Sequence, residues 1–197
     1  MIFSLKQLVD DHINLSYILV LAERRLKHSE TLEQLTNALP FLCSCMDYLC
    51  DYPQQVHHPL ENQLIEFMMS NNSNISRLFP VIKKEHEKLE LTTEQLRQQL
   101  LNANDQYDGE ALLAIKGPLL DCLAKQLQHI SNEENQLLPL IESLMTPKNW
   151  QLFNQQLEQQ PALNDVTEKQ ELFASTLHEL VSLGRNGGLA SEQWQSL

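Results

Sequence analysis

Residues 129–144 read HISNEENQLLPLIESL. Taken at 3.6 residues per turn, His129, Glu133, Leu137, Leu140 and Leu144 fall on one helical face, and extending the stripe backwards adds Gln126 and Cys122. The apolar residues of that stripe mark it as the side that packs against a core. A histidine and a glutamate one turn apart stand in the same line. An imidazole or a carboxylate on a core-facing stripe loses its hydration and needs a partner inside the protein. The stretch therefore predicts a long helix, from about Glu110 to Leu144, in a bundle whose interior is polar at one level. A disturbance is expected in it at Gly117–Pro118.

Three earlier segments repeat the pattern. The first carries Leu5, Leu8, His12, Leu15, Leu19, Ala22 and Leu26 on one face, with Ser4 and Gln7 spaced as a capping box. The second starts near Thr31 and runs through Leu35, Leu39, Leu42, Met46 and Leu49. Pro40, Pro53 and Pro59 interrupt it, and a bend or break is expected near Tyr52–His58. It resumes with His57, Glu61, Leu64 and Met68 on one face. After the loop signal SNNSN at 70–74, the third carries Ile75, Leu78, Ile82, His86, Leu89 and Leu96. NANDQYDG at 102–109 is the next loop. Strand-like alternation is absent. The reading is all-α: an antiparallel four-helix bundle over residues 1–145 with a helical extension over residues 146–197. In the extension, Thr146–Pro147 reads as an N-cap with proline at the first helical position, and a last helix is expected from near Asp165 to the GRNGG stretch.

Each bundle segment thus contributes one core-facing histidine: His12, His57, His86 and His129. Three of the seven histidines have a glutamate four residues on, where composition alone would give fewer than one such pair: His57–Glu61, His86–Glu90 and His129–Glu133. Of these glutamates, Glu61 and Glu133 lie in line with core leucines. Four neutral imidazoles and two carboxylates make a donor set of charge −2, suited to one or two divalent cations. Nitrogen and oxygen donors without thiolate favour iron, manganese or zinc. His58 points about 100° from His57 around the helix axis and is expected to be a surface or supporting residue. His28 ends the first helix, where a cation suits the helix dipole, and His178 has no matching partner.

Composition narrows the function further. With 26 acidic and 14 basic residues the formal net charge is −12. That excludes the basic stripe a nucleic-acid binder needs and disfavours an anionic membrane surface. No window reaches the roughly 18 apolar residues of a membrane span. MIFSLKQLVDDH lacks the basic and apolar regions of a signal peptide, so a cytoplasmic protein is expected. Cys43, Cys45, Cys50 and Cys122 form no CxxC pair and are expected as reduced thiols.

With DDH at 10–12, HHPLEN at 57–62, EHEKL at 85–89 and HISNEENQLLPL at 129–140, the chain resembles the hemerythrin-like family, the HHE cation-binding domain, over roughly residues 5–145. The resemblance implies a non-haem centre of two iron ions with an oxo or hydroxo bridge. In it His12, His57, His86 and His129 would be terminal ligands, and Glu61 and Glu133 would bridge the ions. The chain departs from the oxygen-carrying hemerythrins at Glu90, where they have a further histidine, and in ending on HxxxE. Its pattern is similar to that of bacterial di-iron proteins of iron–sulfur cluster repair and of iron-sensing domains. The expected function is binding of, or reaction with, oxygen, nitric oxide or peroxide in stress response, detoxification or iron handling. The alternative is a non-catalytic sensor or interaction module in which metal orders the bundle. A protein partner or self-association would involve residues 146–197, with Trp150 and Trp194 as candidate anchors.

Overall fold

The computed structural model describes residues 3–71, 79–106, 108–159 and 161–184. The α-helices are α1 (Leu5–His28), α2 (Leu32–Tyr52), α3 (His58–Asn71), α4 (Phe79–Asp105), α5 (Gly109–Asn132), α6 (Leu138–Leu144), α7 (Pro147–Glu158) and α8 (Pro161–Gly184). Two π-helical turns, Pro53–His57 and Glu133–Leu137, join α2 to α3 and α5 to α6. Among the described residues there is no strand.

Helix α1 packs on α2 and α5, and α4 packs on the same two helices, which closes a four-helix ring. The links α1–α2 and α4–α5 are three residues long. Such links leave no room for a crossover, so consecutive helices run antiparallel. The all-α bundle expected from the stripes is the observed fold. Leu8, Ile18, Leu19, Leu64, Ile65 and Leu123 are almost wholly withdrawn from water inside it. Each such side chain contributes about 1.5–3 kcal/mol relative to exposure.

The expected break near Tyr52–His58 is a widened turn within one continuous helical path. The amide of His58 bonds to the carbonyl of Pro53, five residues back, and that of Leu138 bonds likewise to Glu133. In both places a proline follows at once, Pro59 and Pro139. A proline has no N–H and presses on the carbonyl four residues earlier, and the wider turn accommodates both effects. The disturbance expected at Gly117–Pro118 therefore lies at Glu133–Leu137 instead. Pro118 sits inside an unbroken α5, on an exposed face where water can bond the carbonyl it frees.

The helix ends also correct the sequence reading. Ser4 caps α1 with extended backbone but makes no side-chain bond, so its capping box is not formed. The box stands instead at Thr31 and Gln34, which bond each other's backbone. Thr146 caps α7 as expected by accepting from the Asn149 amide. Helix α8 starts at Pro161, earlier than Asp165. The loop residues 72–74, Ile75, Leu78, Trp194 and the stretch after Gly184 lie outside the described residues.

Beyond residue 145 the chain packs back on the bundle. Phe153 of α7 is wholly buried against Phe3 and Phe67. Helix α8 lies on α2, on the first π-helical turn and on α1. Its Phe173 sets its ring edge-on against both Tyr48 and Tyr52, which are stacked on each other.

Candidate metal centre

The two widened turns lie at one level of the bundle and face each other across its interior. His57 is the last residue of one and Glu133 the first of the other. Helix α1 brings His12 to this level, α3 brings His58 and Glu61, α4 brings His86, and α5 brings His129. All seven side chains are buried, Glu61 and His12 completely. They fall into two groups able to hold a metal ion: His12, His57, Glu61 and Glu133, and His58, His86 and His129. Within each group the donor atoms lie within 4.8 Å of one another. The structure thus brings together His12, His57, Glu61, His86, His129 and Glu133.

The two carboxylates stand between the groups. Glu133 Oε1 is 2.9 Å from His129 Nε2 and 3.1 Å from His86 Nε2, while its Oε2 is 3.4 Å from His12 Nε2. Glu61, grouped with His12 and His57, has Oε2 3.3 Å from His86 Nε2. Helical spacing explains this reach, since each glutamate rises one turn beyond a histidine on the same face.

An outer ring of acids faces the other nitrogen of four imidazoles. Asp11 lies 3.4 Å from His57 Nδ1, Glu134 3.7 Å from His12 Nδ1, Glu85 3.2 Å from His129 Nδ1 and Glu90 2.6 Å from His58 Nδ1. For His57, His58 and His129 the carboxylate hydrogen-bonds Nδ1, which holds the proton there and leaves Nε2 as a lone-pair donor. Tyr52 in turn donates to Asp11.

Electrostatics at this level are strongly perturbed. Burial alone would lower the His86 imidazole, but the Glu133 and Glu61 carboxylates against it raise it to about 9. His57 is burdened by burial too, yet Asp11 and Glu61 raise it above the ordinary histidine range. His58 goes the other way, well below that range, through burial and then the neighbouring His86 and His57. Glu133 is held well below the usual carboxylate range, because His12, His129 and His86 outweigh its burial.

The donors fit a cation better than they fit one another. Neither oxygen of Glu61 has a hydrogen-bond partner, nor do Glu133 Oε2, either nitrogen of His12, or His129 Nε2. Buried carboxylates left unpartnered are costly unless a cation neutralises them. Oxygen and imidazole donors in this number suit a transition-metal ion.

Sequence reasoning underrated His58, which is 7% exposed and stacks on His86 with centroids 3.9 Å apart. It also left Glu90 open, and Glu90 is the partner of His58. The adjacency HHP at 57–59 was the available signal. Two neighbours about 100° apart both face inward because each faces a different group.

Residues 5–141 match the family model described as the Hemerythrin HHE cation binding domain. The chain belongs to this family. Its HHE bundle is a metal-binding one, with buried His and Glu groups able to hold ions. No curated protein and no solved structure matches the chain. The four cysteines, all free, belong to neither group. Burial pushes the Cys50 thiol up to about 12, and that of Cys45 further. No described helix is long and apolar enough to cross a membrane.

Proposed function

We propose that this hemerythrin-like chain holds two iron ions bridged through Glu61 and Glu133, with His12, His57, His86 and His129 as terminal ligands, and takes a small ligand: oxygen, nitric oxide or peroxide. One observation carries the reading of ligand size. A cavity of about 30 Å³ adjoins the histidines, walled by Leu15, Leu49 and Ile130 and reaching His57, His129 and Glu133. A water needs roughly 10–15 Å³ of such volume, so this space suits a molecule of one or two heavy atoms. Iron bound there would supply a redox-active coordination position. The protein's own part is to hold the donors rigid, keep the outer nitrogens protonated and exclude bulk water.

Metal analysis of iron-replete protein, with His57→Ala and Glu61→Ala as controls, tests the centre. Two ions per chain are expected, lost in both variants. Stoichiometric metal surviving both substitutions would refute it. An anaerobic optical titration of the reduced protein with nitric oxide and then oxygen tests the ligand class. The output is stress response, detoxification or iron handling in the cytoplasm.

A second reading, a sensor or interaction module, is favoured by the contact of Phe173 on α8 with Tyr52, whose hydroxyl bonds Asp11 beside His57. Loading would then be felt by the C-terminal extension. A change of stability on loading without an optical response to any of the three ligands would select it.

A further inference from the structure

We infer that His58 is itself a metal ligand, completing a three-imidazole site with His86 and His129, and that Glu90 is the carboxylate that aims it. The inference rests on the metal-centre reading above and extends it by a fifth histidine. His58 is buried, its ring lies parallel to that of His86 at 3.9 Å, and it stands edge-on to His129 with centroids 6.2 Å apart. Its donor atom lies within 4.8 Å of donors on both of those residues. Its Nδ1 is taken by Glu90 Oε1 at 2.6 Å. That bond leaves Nε2 with the lone pair, the arrangement of a ligating imidazole with its supporting acid.

A structural role alone explains this geometry poorly. A histidine stacked against a second buried histidine gains no hydrogen bond from it. A cation shared with His86 and His129 would give the free nitrogen of His58 a partner once the parallel rings tilt toward it. Glu90 stands one turn beyond His86 on α4. Here α3 supplies the imidazole, and the α4 position supplies the acid behind it. The two ions become unequal: one takes three neutral imidazoles, the other two imidazoles and the first claim on the carboxylates.

The test uses the full chain loaded anaerobically with ferrous iron. X-ray absorption of the wild type should count five imidazoles over two ions. His58→Ala should weaken the second ion about 100-fold or more, and Glu90→Gln about 10-fold, with an altered ligand-field spectrum in each. His58→Gln covers the case in which the alanine variant fails to fold. A wild-type count of four imidazoles, or a folded His58 variant with unchanged second-ion affinity and spectrum, overturns the inference alone. A wild type that binds fewer than two ions overturns the dinuclear reading and this inference with it.

Discussion

The Tyr52 hydroxyl donates a 2.6 Å hydrogen bond to Asp11, and the other oxygen of Asp11 faces His57 Nδ1 at 3.4 Å. Residues 41 positions apart in sequence thus form a chain from the bundle wall to the metal-facing imidazole. Asp11→Asn should lower iron affinity about 10–100-fold while leaving the fold intact, since it removes the acid that fixes the imidazole's orientation. Tyr52→Phe should have a smaller effect in the same direction. Competition against a chelator of known strength measures both.

Glu61 carries the sharpest opposition between stability and function. It is wholly buried, and neither of its oxygens has a hydrogen-bond partner. Glu61→Met should stabilise the metal-free protein, by about 1–4 kcal/mol, because a buried carboxylate without a hydrogen bond is replaced by an apolar side chain while His86 keeps Glu133, 3.1 Å away, as its counter-charge. The same variant should lose the stabilisation that iron gives the wild type. Denaturant unfolding with and without iron reads both signs. A metal-free variant less stable than the wild type would contradict the account.

Cation binding should be linked to pH through His86. Its imidazole is raised from 6.5 to about 9 by the carboxylates it faces. In the metal-free protein its stabilising contribution is thus complete below about pH 6.5 and is lost as pH rises through about 9. A bound cation requires the neutral ring. Binding near pH 7 must displace that proton, so apparent affinity should rise from about pH 6.5 to 9. Isothermal titration in two buffers of different ionisation heat counts the released protons.

The extension should be worth several kcal/mol to the bundle. Phe153 fills a site wholly closed to water, and Phe173 covers Tyr48 and Tyr52. Phe153→Ala should cost about 3–5 kcal/mol. In a chain of this size that lowers the melting temperature by about 6–20 °C. A chain ending at residue 145 should be less stable still, as judged by thermal unfolding, and Phe173→Ala should also weaken iron binding if the sensor reading holds.

Much of this was open to reading in the linear chain, for a definite reason. Helical period is a local property: it placed His12, His57, Glu61, His86, His129 and Glu133 on core-facing stripes without knowledge of any partner helix. Once four such stripes exist with short links, burial forces them to meet, and the polar positions must meet with them. The charge of −12 also argued against nucleic acid before any geometry was known. Other features depend on what lies opposite. His58 is 100° off the stripe by local geometry alone, and only the ring of His86 on α4 makes its position interior. Pro118 and Pro139 look alike in sequence, yet one sits on an exposed face of α5 and the other stands in the first turn of α6, just after the π-helical turn at the metal level. Glu85, Asp11 and Glu134 read as ordinary acids among 26, and Glu90 could not be told from a solvated charge. The tertiary structure alone set them behind imidazoles, because hydrogen bonds between residues distant in sequence have no periodicity to betray them.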